Sequence, residues 1–582
     1  MRNTEIATAL SELGVLYEID GADRFRVLAY KEGAKAARQS PVSLEQMAKE
    51  GRLTEIDGIG KTLAEKIVAL IETGEIPAAV KLKKKYPPSL VEVTYIPGLG
   101  AKTVRRLFDE LDVTDIESIK AAAEAEKIRK LKGLGAKVEE NVLAQLAAMG
   151  KDGASQRVLL SEVLPMAEEL EADLRQVAGT TEVIAAGSLR RWGETCKDID
   201  LVAASTNPAE LTAALVSHPL VESGRKGGVA GASVTLHTGI KVDLRVTAPE
   251  TFGNLLQHFT GSMEHNVEIR ERALKMGLSV SENGIKNTKT GKVHKHKDET
   301  GVYRQLKLPY IPPEIRLGTG EIAAADAGEL PNLVEISDIK GDLHSHTTLS
   351  DGRNSVEEMA GAARKRGYTY FAITDHSASH GFGDHVTDEM LEERIAEIAK
   401  FNKGGSKGRQ GFRLLAGSEV NIGTKGELDY PDELLAELDW VIASVHTSFR
   451  MSEKNMTERV VAAIEHPLVD CIGHLTGRML LKREPYGIDV EKVFEAAAAN
   501  GTMIEINGNP NRRDLSDRHA RLAAAAGVKI CLNTDAHGID TLDNMRYAVA
   551  TARRAWLEPK NVANTRTWAQ FSKLRKRTKA KR

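Results

Sequence analysis

KGDLHSHTTLSDG, residues 340–352, puts two histidines on one face of a strand and an aspartate in the loop that follows. His344, His346 and Asp351 are all metal-ligand types. The same kind of ending recurs down the chain. Later strand-like runs close on Asp375 and His376 (TDH), Glu419 (GSEV), His446 (SVH), His474 (GHL), Asn507 (INGN), and Asp535 with His537 (TDAH). Helical stretches separate most of these runs, which is the rhythm of a parallel βα barrel. In such a barrel the C-terminal strand ends meet at one mouth, so ligands far apart in sequence converge. Any one of these histidines alone reads as an ordinary core or loop residue. Six histidines with three carboxylates at strand ends read as a multinuclear centre and exceed what one tetrahedral ion uses. Two or three ions are expected, and imidazole-rich ligation favours Zn2+, Mn2+ or Fe over Mg2+. The chemistry such a centre supports is attack of activated water on a phosphoester.

Bulk properties set the frame. A chain of 582 residues exceeds one hydrophobic core, and several domains are expected. With 41% apolar and 28% charged residues the composition is that of a soluble globular protein. A net charge of −2 gives no global attraction to nucleic acid, so any such binding needs local patches. The clearest is KLRKRTKAKR (573–582), which reads equally as a basic arm or a solubilising terminus. Cys196, Cys471 and Cys531 are too few and scattered for disulfides or a cysteine-zinc site, which points to a reducing cytosol. No apolar run approaches the ~20 residues that span a bilayer, and the amphipathic, acid-bearing start MRNTEIATALSELG is unlike a signal peptide.

The first 150 residues carry helical periodicity broken by glycine turns. One frame appears three times: IDGIGKTLAEKI (56–67), IPGLGAKTVRRL (96–107) and LKGLGAKVEENV (131–142). Each places a Gly-x-Gly turn (Gly58 and Gly60, Gly98 and Gly100, Gly133 and Gly135) before an amphipathic helix. Free backbone N–H groups and the helix dipole at such a turn suit a phosphate oxygen and read no base sequence. One copy reads equally as a hairpin whose glycines merely allow close packing; three copies favour DNA binding. GIGKT imitates a Walker loop end, but Glu55 stands where that loop needs glycine.

From about residue 151 an α+β unit is expected, with strands near EVIAAGS (182–188), DIDLVAA (198–204), ASVTLHT (232–238) and KVDLRVT (241–247). Alternation puts Asp198 and Asp200 on one strand face, and Asp243 on a later strand that could pair beside them. Three carboxylates without histidine suit Mg2+ held jointly with substrate phosphates. Two such ions would clamp an in-line phosphoryl transfer. Gly187, Ser188 and Arg191 stand where a triphosphate could be held.

GSLRRWGETCKDID (187–200) fits GS-x-RR-x-x-E-x-x-x-D-x-D throughout, and residues 1–316 closely resemble family X DNA polymerases. The resemblance implies that Asp198 and Asp200 bind both metals and that Asp243 completes the site for the primer 3′-OH. HFTGSMEHN (258–266) resembles that family's nucleotide pocket, with Phe259, Thr260 and Gly261 against the sugar and Asn266 and Arg270 near the nascent pair. His258 replaces the tyrosine of the polymerase-beta branch, so ribose discrimination stays open. Lys66 occupies the position of a Schiff-base lysine, although its plainer and favoured reading is a DNA-contacting lysine on a helix. The back half resembles the PHP (polymerase and histidinol phosphatase) domain, which implies the ligands His344, His346, Asp351, His376, Glu419, His446, His474, Asp535 and His537.

The expected architecture is multidomain: helix-hairpin-helix domains, an α+β nucleotidyltransferase palm with thumb, and a distorted (β/α)7 barrel. Boundaries are expected at 1–82 (lyase-like), 83–150 (fingers), 151–247 (palm), 248–316 (thumb, read as short helices), 317–335 (linker), 336–570 (barrel) and 571–582 (basic tail). The resemblance implies a cytoplasmic, nucleoid-associated monomer that fills short gaps in gapped or nicked DNA with dNTPs. Mg2+ or Mn2+ would serve the palm, and two or three Mn2+, Zn2+ or Fe ions the barrel. A Mn2+-dependent 3′-5′ exonuclease or 3′-end phosphoesterase, with abasic-site cleavage, would accompany synthesis. The alternative is a small-molecule phosphatase tethered to a DNA-binding front half.

Overall fold

The computed structural model describes residues 1, 3–40, 43–94, 96, 99–131, 133–149, 157–226, 230–377, 386–403 and 411–576. The chain divides into two compact units. The first comprises Met1–Arg157, Glu162–Ile184 and Lys197–Ala248; the second comprises Val158–Ser161, Ala185–Cys196 and Pro249–Arg582.

In the first unit the hairpin helices form for legible reasons. Helix Lys61–Thr73 buries Leu63, Ile67 and Leu70, spaced one turn apart, and stops at Gly74 in the left-handed conformation. Helix Ala101–Leu111 buries Ala101, Val104 and Leu107. The same unit contains a five-stranded sheet with spatial order Thr180–Ala185, Asp198–Ser205, Lys241–Thr247, Gly231–Leu236, Val221–Lys226. Its two central strands run parallel and the last two pairings are antiparallel. Along Lys241–Thr247 the residues Val242, Leu244 and Val246 are buried while Lys241, Asp243 and Arg245 face the other way, the period of a half-buried strand. The sequence reading ran the first strand on to Ser188. It ends at Ala185, and Gly187–Arg190 form a helical turn.

In the second unit, residues 249–330 depart from the expectation of short helices alone. Leu278–Ser281, Gly284–Asn287 and Val293–His294 build a three-stranded antiparallel sheet beside helices Phe252–Thr260 and Met263–Lys275. The stretch expected to be a linker is ordered. It holds helix Glu321–Ala327, which buries Ile322 and Ala325 in a core shared with Ile269, Tyr303 and Leu333. Glu321 is fully buried because it accepts the Gly318 and Thr319 N–H groups and pairs with His265 at 2.8 Å.

The barrel is a single seven-stranded parallel sheet in chain order: Gly341–Asp342, Tyr370–Ile373, Arg413–Asn421, Trp440–Ser444, Cys471–Ile472, Met503–Asn507, Ile530–Asn533. A parallel bridge between Ser345 and Ala536 joins its first and last strands. Both faces are apolar, as parallel strands require. Phe371, Leu414, Val441, Ile504 and Leu532 meet the surrounding helices, while Tyr370, Leu415, Trp440, Cys471 and Met503 fill the interior. Phe571 belongs to that interior, fully buried and stacked on Tyr370 with ring centroids 5.2 Å apart. The basic tail therefore begins later than expected. Residues 571–576 are packed, Lys576 donating to the His466 carbonyl at 3.0 Å, and 577–582 lie outside the described residues.

Candidate active sites: a buried imidazole cluster and an open carboxylate face

Side chains near or just past the C-terminal ends of the barrel strands meet at one mouth. His344 hydrogen-bonds Glu505 Oε1 through Nδ1 at 2.7 Å. With Nδ1 engaged there, Nε2 faces Glu419 Oε2 at 3.3 Å and Asp535 Oδ1 at 3.5 Å. Carboxylate-oriented imidazole is the arrangement that fixes a metal-binding tautomer. Glu419 is the hub. Its Oε1 lies 3.2 Å from His446 Nε2 and 2.9 Å from His474 Nε2, and its Oε2 lies 2.8 Å from His376 Nδ1 and 3.7 Å from His346 Nε2. Asp351 faces His537 Nε2 at 3.3 Å, His376 Nε2 at 3.6 Å and His346 Nδ1 at 3.8 Å. Asp535 faces His346 Nε2 at 3.2 Å. All nine residues named from the sequence thus meet.

The donors sort into three overlapping groups: His346, Asp351, His376 and His537; His344, His346 and Asp535; His376, Glu419 and His446. Within each, the ligand atoms lie within 4.8 Å of one another. His346 and His376 each serve two groups, as in clusters of adjacent ions. His344 Nε2, His346 Nδ1, Glu419 Oε2 and His474 Nδ1 are buried and make no hydrogen bond. Buried polar atoms of this kind are costly unless something else satisfies them. The electrostatics point the same way. Burial acts to lower the pKa of His344 and His376. The carboxylates of Glu505, Glu419 and Asp535 around the first, and of Glu419 and Asp351 around the second, outweigh it: His344 rises well above the ordinary value and His376 to about 10. Burial, with His537 and His376 alongside, lowers His346 to about 4. The cluster draws positive charge to its centre, and the residues fit divalent ions. The exposed rim is Asp351 and His537, whose side chains retain 27% and 31% of their accessibility, against 0–1% for His344, His346 and Glu419.

The sequence reading missed the supports of this site. Glu505 holds His344, accepts the His474 N–H at 2.8 Å, and receives Asn507 and Asn533 side chains at 3.0 Å each. It sits two residues before Asn507 on the same inward strand face, so strand alternation was the signal available. Asp375 turns away from the cluster. It accepts Thr347 N–H, Thr347 Oγ1 and Ser350 Oγ at 2.6–2.8 Å and so fixes the loop that carries Asp351. Arg512 lies 3.9 Å from Asp535, bringing a cation to the mouth.

The palm carboxylates lie on an open face. Asp200 and Asp243 are register partners on adjacent parallel strands, and Asp198 precedes Asp200 by one alternation. Ile199 and Leu201 point into the core, so the three acids share the opposite, half-buried face. Ser233, the register partner of Asp243 on its other side, donates its hydroxyl to that carboxylate.

In the second unit, the turn Gly187–Arg191 meets the segment Phe259–Gly261. Arg190 donates to Thr260 Oγ1 at 2.6 Å and to Glu299 at 2.7 Å, and Arg191 donates to the Thr260 carbonyl. Asn266 donates to the His258 carbonyl and accepts from Gln257, both at 2.8 Å, while Arg270 is exposed. Burial lowers the pKa of His258, which favours the neutral ring. Lys66 is half-buried in the middle of helix Lys61–Thr73. Gly58 and Gly133 adopt left-handed φ of 85° and 83°, while Gly60 and Gly100 are N-cap residues with no side-chain cap. Gly135 stands immediately before helix Ala136–Met149; Gly98 lies outside the described residues.

One further group, Glu169, Asp173 and His218, has metal-like spacing. His218 Nδ1 accepts the Leu220 N–H, which puts the ring proton on Nε2, 3.2 Å from Asp173. The nitrogen an ion would need is already a hydrogen-bond donor. Among the described residues no helix is long and apolar enough to cross a membrane.

Comparison with known proteins agrees with this division. Residues 1–76 match a helix-hairpin-helix domain and 90–148 a SAM-like helix-hairpin-helix tandem. Residues 255–317 match the DNA polymerase beta thumb and 342–509 the PHP domain. A probable phosphatase of Thermoanaerobacter sp. (strain X514) is 32% identical over 240 residues, 38% of this chain and 89% of that protein. The DNA polymerase/3'-5' exonuclease PolX of Bacillus subtilis (strain 168) is 38% identical over 580 residues, 99% of this chain and 100% of that protein. Similarity that runs the whole length of both chains, through the hairpins, the thumb and the barrel alike, makes this chain a member of the PolX family of DNA polymerase/3'-5' exonucleases.

Proposed function

We propose that this DNA polymerase with exonuclease activity acts in DNA repair, filling short gaps from the palm and trimming or unblocking 3′ ends in the barrel. The observation that carries the reading is the coexistence of two chemically different sites. One is an all-oxygen face of Asp198, Asp200 and Asp243; the other is the nine-residue cluster centred on Glu419.

In the palm, the bound ions would be two Mg2+ (or Mn2+), which supply charge neutralisation of the triphosphate and of the attacking and leaving oxygens. Asp198 and Asp200 hold them. Asp243, oriented by Ser233, faces the primer 3′-OH and favours loss of its proton. Gly187, Ser188 and Arg191 bind the triphosphate. Phe259, Thr260 and Gly261 lie along the sugar, with Asn266 and Arg270 at the nascent pair. The Gly-x-Gly turns grip the DNA backbone without reading sequence.

In the barrel, two or three Mn2+, Zn2+ or Fe ions would supply Lewis acidity and a water activated at neutral pH. The phosphodiester enters past Asp351 and His537, the accessible rim. Glu505 keeps His344 in the tautomer with Nε2 inward. In the front half, Lys66 contacts the DNA; at an abasic site its amine would instead condense with the sugar aldehyde, releasing water, and β-elimination would then break the 3′ C–O bond with the 3′ phosphate leaving. The protein works as a cytoplasmic, nucleoid-associated monomer on gapped or nicked DNA.

The test is a paired assay on a one-nucleotide gap, in Mg2+ or Mn2+, with and without dNTPs. Wild type extends with dNTPs in Mg2+ and shortens the primer without them in Mn2+; equal extension by Asp198→Ala would remove the palm from the reading. The similarity to probable phosphatases supports a second reading, in which the barrel is a small-molecule phosphatase tethered to a DNA-binding front half. Turnover of a free phosphate monoester with no action on DNA ends would favour that one.

A further inference from the structure

The signature turn contains a carboxylate, Glu194, for which the phosphoryl-transfer reading gives no task. Within the second unit it meets the barrel. Arg478 binds it with both arms of the guanidinium, Nη2 to Oε1 at 2.5 Å and Nη1 to Oε2 at 3.3 Å. The three residues before Glu194 are held by their carbonyls. Arg554 Nη1 donates to the Arg191 carbonyl at 2.8 Å. Arg513 Nη1 donates to the Trp192 and Gly193 carbonyls, both at 3.1 Å. Trp192 packs edge-on against Tyr547 of the barrel, ring centroids 6.0 Å apart. Four consecutive residues of the turn are thus gripped by three arginines from three separate barrel segments.

The grip is built, not incidental. Arg513 is 1% exposed and has no carboxylate within ion-pair range among the described residues; burial lowers its pKa to about 10. Its remaining bond goes to Thr551 Oγ1 at 3.0 Å. A buried guanidinium spent on two carbonyls of a tight turn costs desolvation that packing alone would not require. The far side of the same turn is where Arg190 and Arg191 reach Thr260. Gly193 N–H closes the turn onto the Ser188 carbonyl at 2.8 Å. Anything that shifts residues 191–194 therefore moves Ser188 and Arg191.

We propose that Arg478, Arg513 and Arg554 are positioning residues for nucleotide binding: the barrel holds the turn Ser188–Glu194 in the shape that receives the triphosphate. The barrel is then the support of the triphosphate-binding turn as well as the seat of the nuclease. The inference rests on the reading that Ser188 and Arg191 contact the triphosphate. It also gives Arg478, four residues after the cluster residue His474, a role outside the hydrolytic chemistry.

The test uses the full chain and a single-nucleotide-gapped duplex, reading kcat and KM for the complementary dNTP in Mg2+, and 3′-5′ exonuclease rate in Mn2+ on the same DNA. For Arg478→Ala, KM for dNTP rises about tenfold, the scale of losing charge-assisted hydrogen bonds. kcat and the exonuclease rate stay within about twofold. Exchanging the charges in the double variant Glu194→Arg with Arg478→Glu recovers most of the KM. Arg554→Ala, which removes a single bond to the turn, repeats the KM effect more weakly and covers the case in which Arg478→Ala folds poorly. An unchanged KM in both single variants overturns the proposal. So does a parallel fall of kcat, exonuclease and melting temperature, which would mark a purely structural role. Failure of wild type to extend the primer at all overturns the polymerase reading beneath it, and is distinguished by needing no variant.

Discussion

The palm and the barrel each gather metal-ligand side chains, with opposite degrees of burial. In the palm, three half-exposed carboxylates sit on one sheet face with strand register as their main alignment. Such a face is incomplete until substrate oxygens join it, which suits ions that arrive with the nucleotide. In the barrel, six imidazoles and three carboxylates are gathered from strand ends, and Glu419 and His344 are almost wholly buried. That donor set is gathered from the protein alone. The difference teaches that one chain can carry two donor sets of unlike chemistry, one open and all-oxygen, the other buried and rich in imidazole.

The largest expected effect breaks the comparison cleanly. His344→Ala removes a donor and leaves Glu505 and Glu419 facing a cavity; exonuclease activity falls on the order of a thousandfold, while primer extension stays within about twofold. Asp200→Ala does the reverse. Loss of both activities in either variant would mean that the two sites are not separate. Metal content sharpens the same point. After gel filtration, elemental analysis finds two or three transition ions per chain in wild type and Asp200→Ala, and fewer in His344→Ala.

The thumb segment, a third region, neutralises a buried acid in a way the barrel does not. Glu299, 4% exposed, lies between Arg316 and Arg190, which are permanently charged. Burial raises its pKa, but the two guanidiniums outweigh it and hold the group at about 2. A depressed carboxylate contributes stability that is fully present above its unfolded pKa near 4.5 and is lost as pH falls toward about 2. That contribution is of order 3 kcal/mol, taking ~1.4 kcal/mol per pKa unit. Glu299→Gln should therefore lose stability at pH 7 and show a flatter melting temperature between pH 4.5 and 2.5 than wild type. Equal slopes in the two proteins would remove Glu299 as the source. Glu419, by contrast, is neutralised by imidazoles, whose charge depends on pH and on bound ions, so the barrel's stability should follow metal as well as acid.

Glu505→Gln tests the support of the barrel site. The amide keeps volume and loses the charge that orients His344. Metal affinity and exonuclease rate should fall about 10- to 100-fold, the usual cost of losing an outer-shell partner. The drop should be smaller than for His344→Ala and leave extension untouched; an effect under about twofold would make Glu505 a bystander.

How much of this was legible follows from locality. The barrel cluster was readable because its ligands lie at, near or just past strand ends, and a strand end is a local pattern. Asp198, Asp200 and Asp243 were readable because alternation is local too, although their register could only be conjectured. Glu505 was not legible because it lies inside its strand, two residues before the end, where an acid carries no ligand-like local pattern. The sheet at 278–294 was missed because SVSENGIKN is polar and its pairing rests on buried Leu278 and Ile285. Helix Glu321–Ala327 read as a linker because the sequence cannot say that His265, 56 positions earlier, will satisfy its buried acid. Phe571 was taken into a basic tail because nothing local shows that the barrel floor needs an aromatic plug.

The smallest expected effect concerns the hairpins. Gly58 sits at φ 85°, and a Cβ there would meet Ala36 Cβ at 3.4 Å, an ordinary contact. The cost of Gly58→Ala is therefore the left-handed backbone, about 1 kcal/mol, not a clash. Gly60, by comparison, has an ordinary φ of −77° and open space around it, so Gly60→Ala should leave folding nearly untouched. If the turn grips phosphate by its N–H groups, Gly58→Ala weakens binding to gapped duplexes of different sequence by the same few-fold factor, and lowers extension and exonuclease together at subsaturating DNA. A loss confined to one activity, or one that varies with sequence, would show that the hairpin serves a single site and does not grip backbone for both.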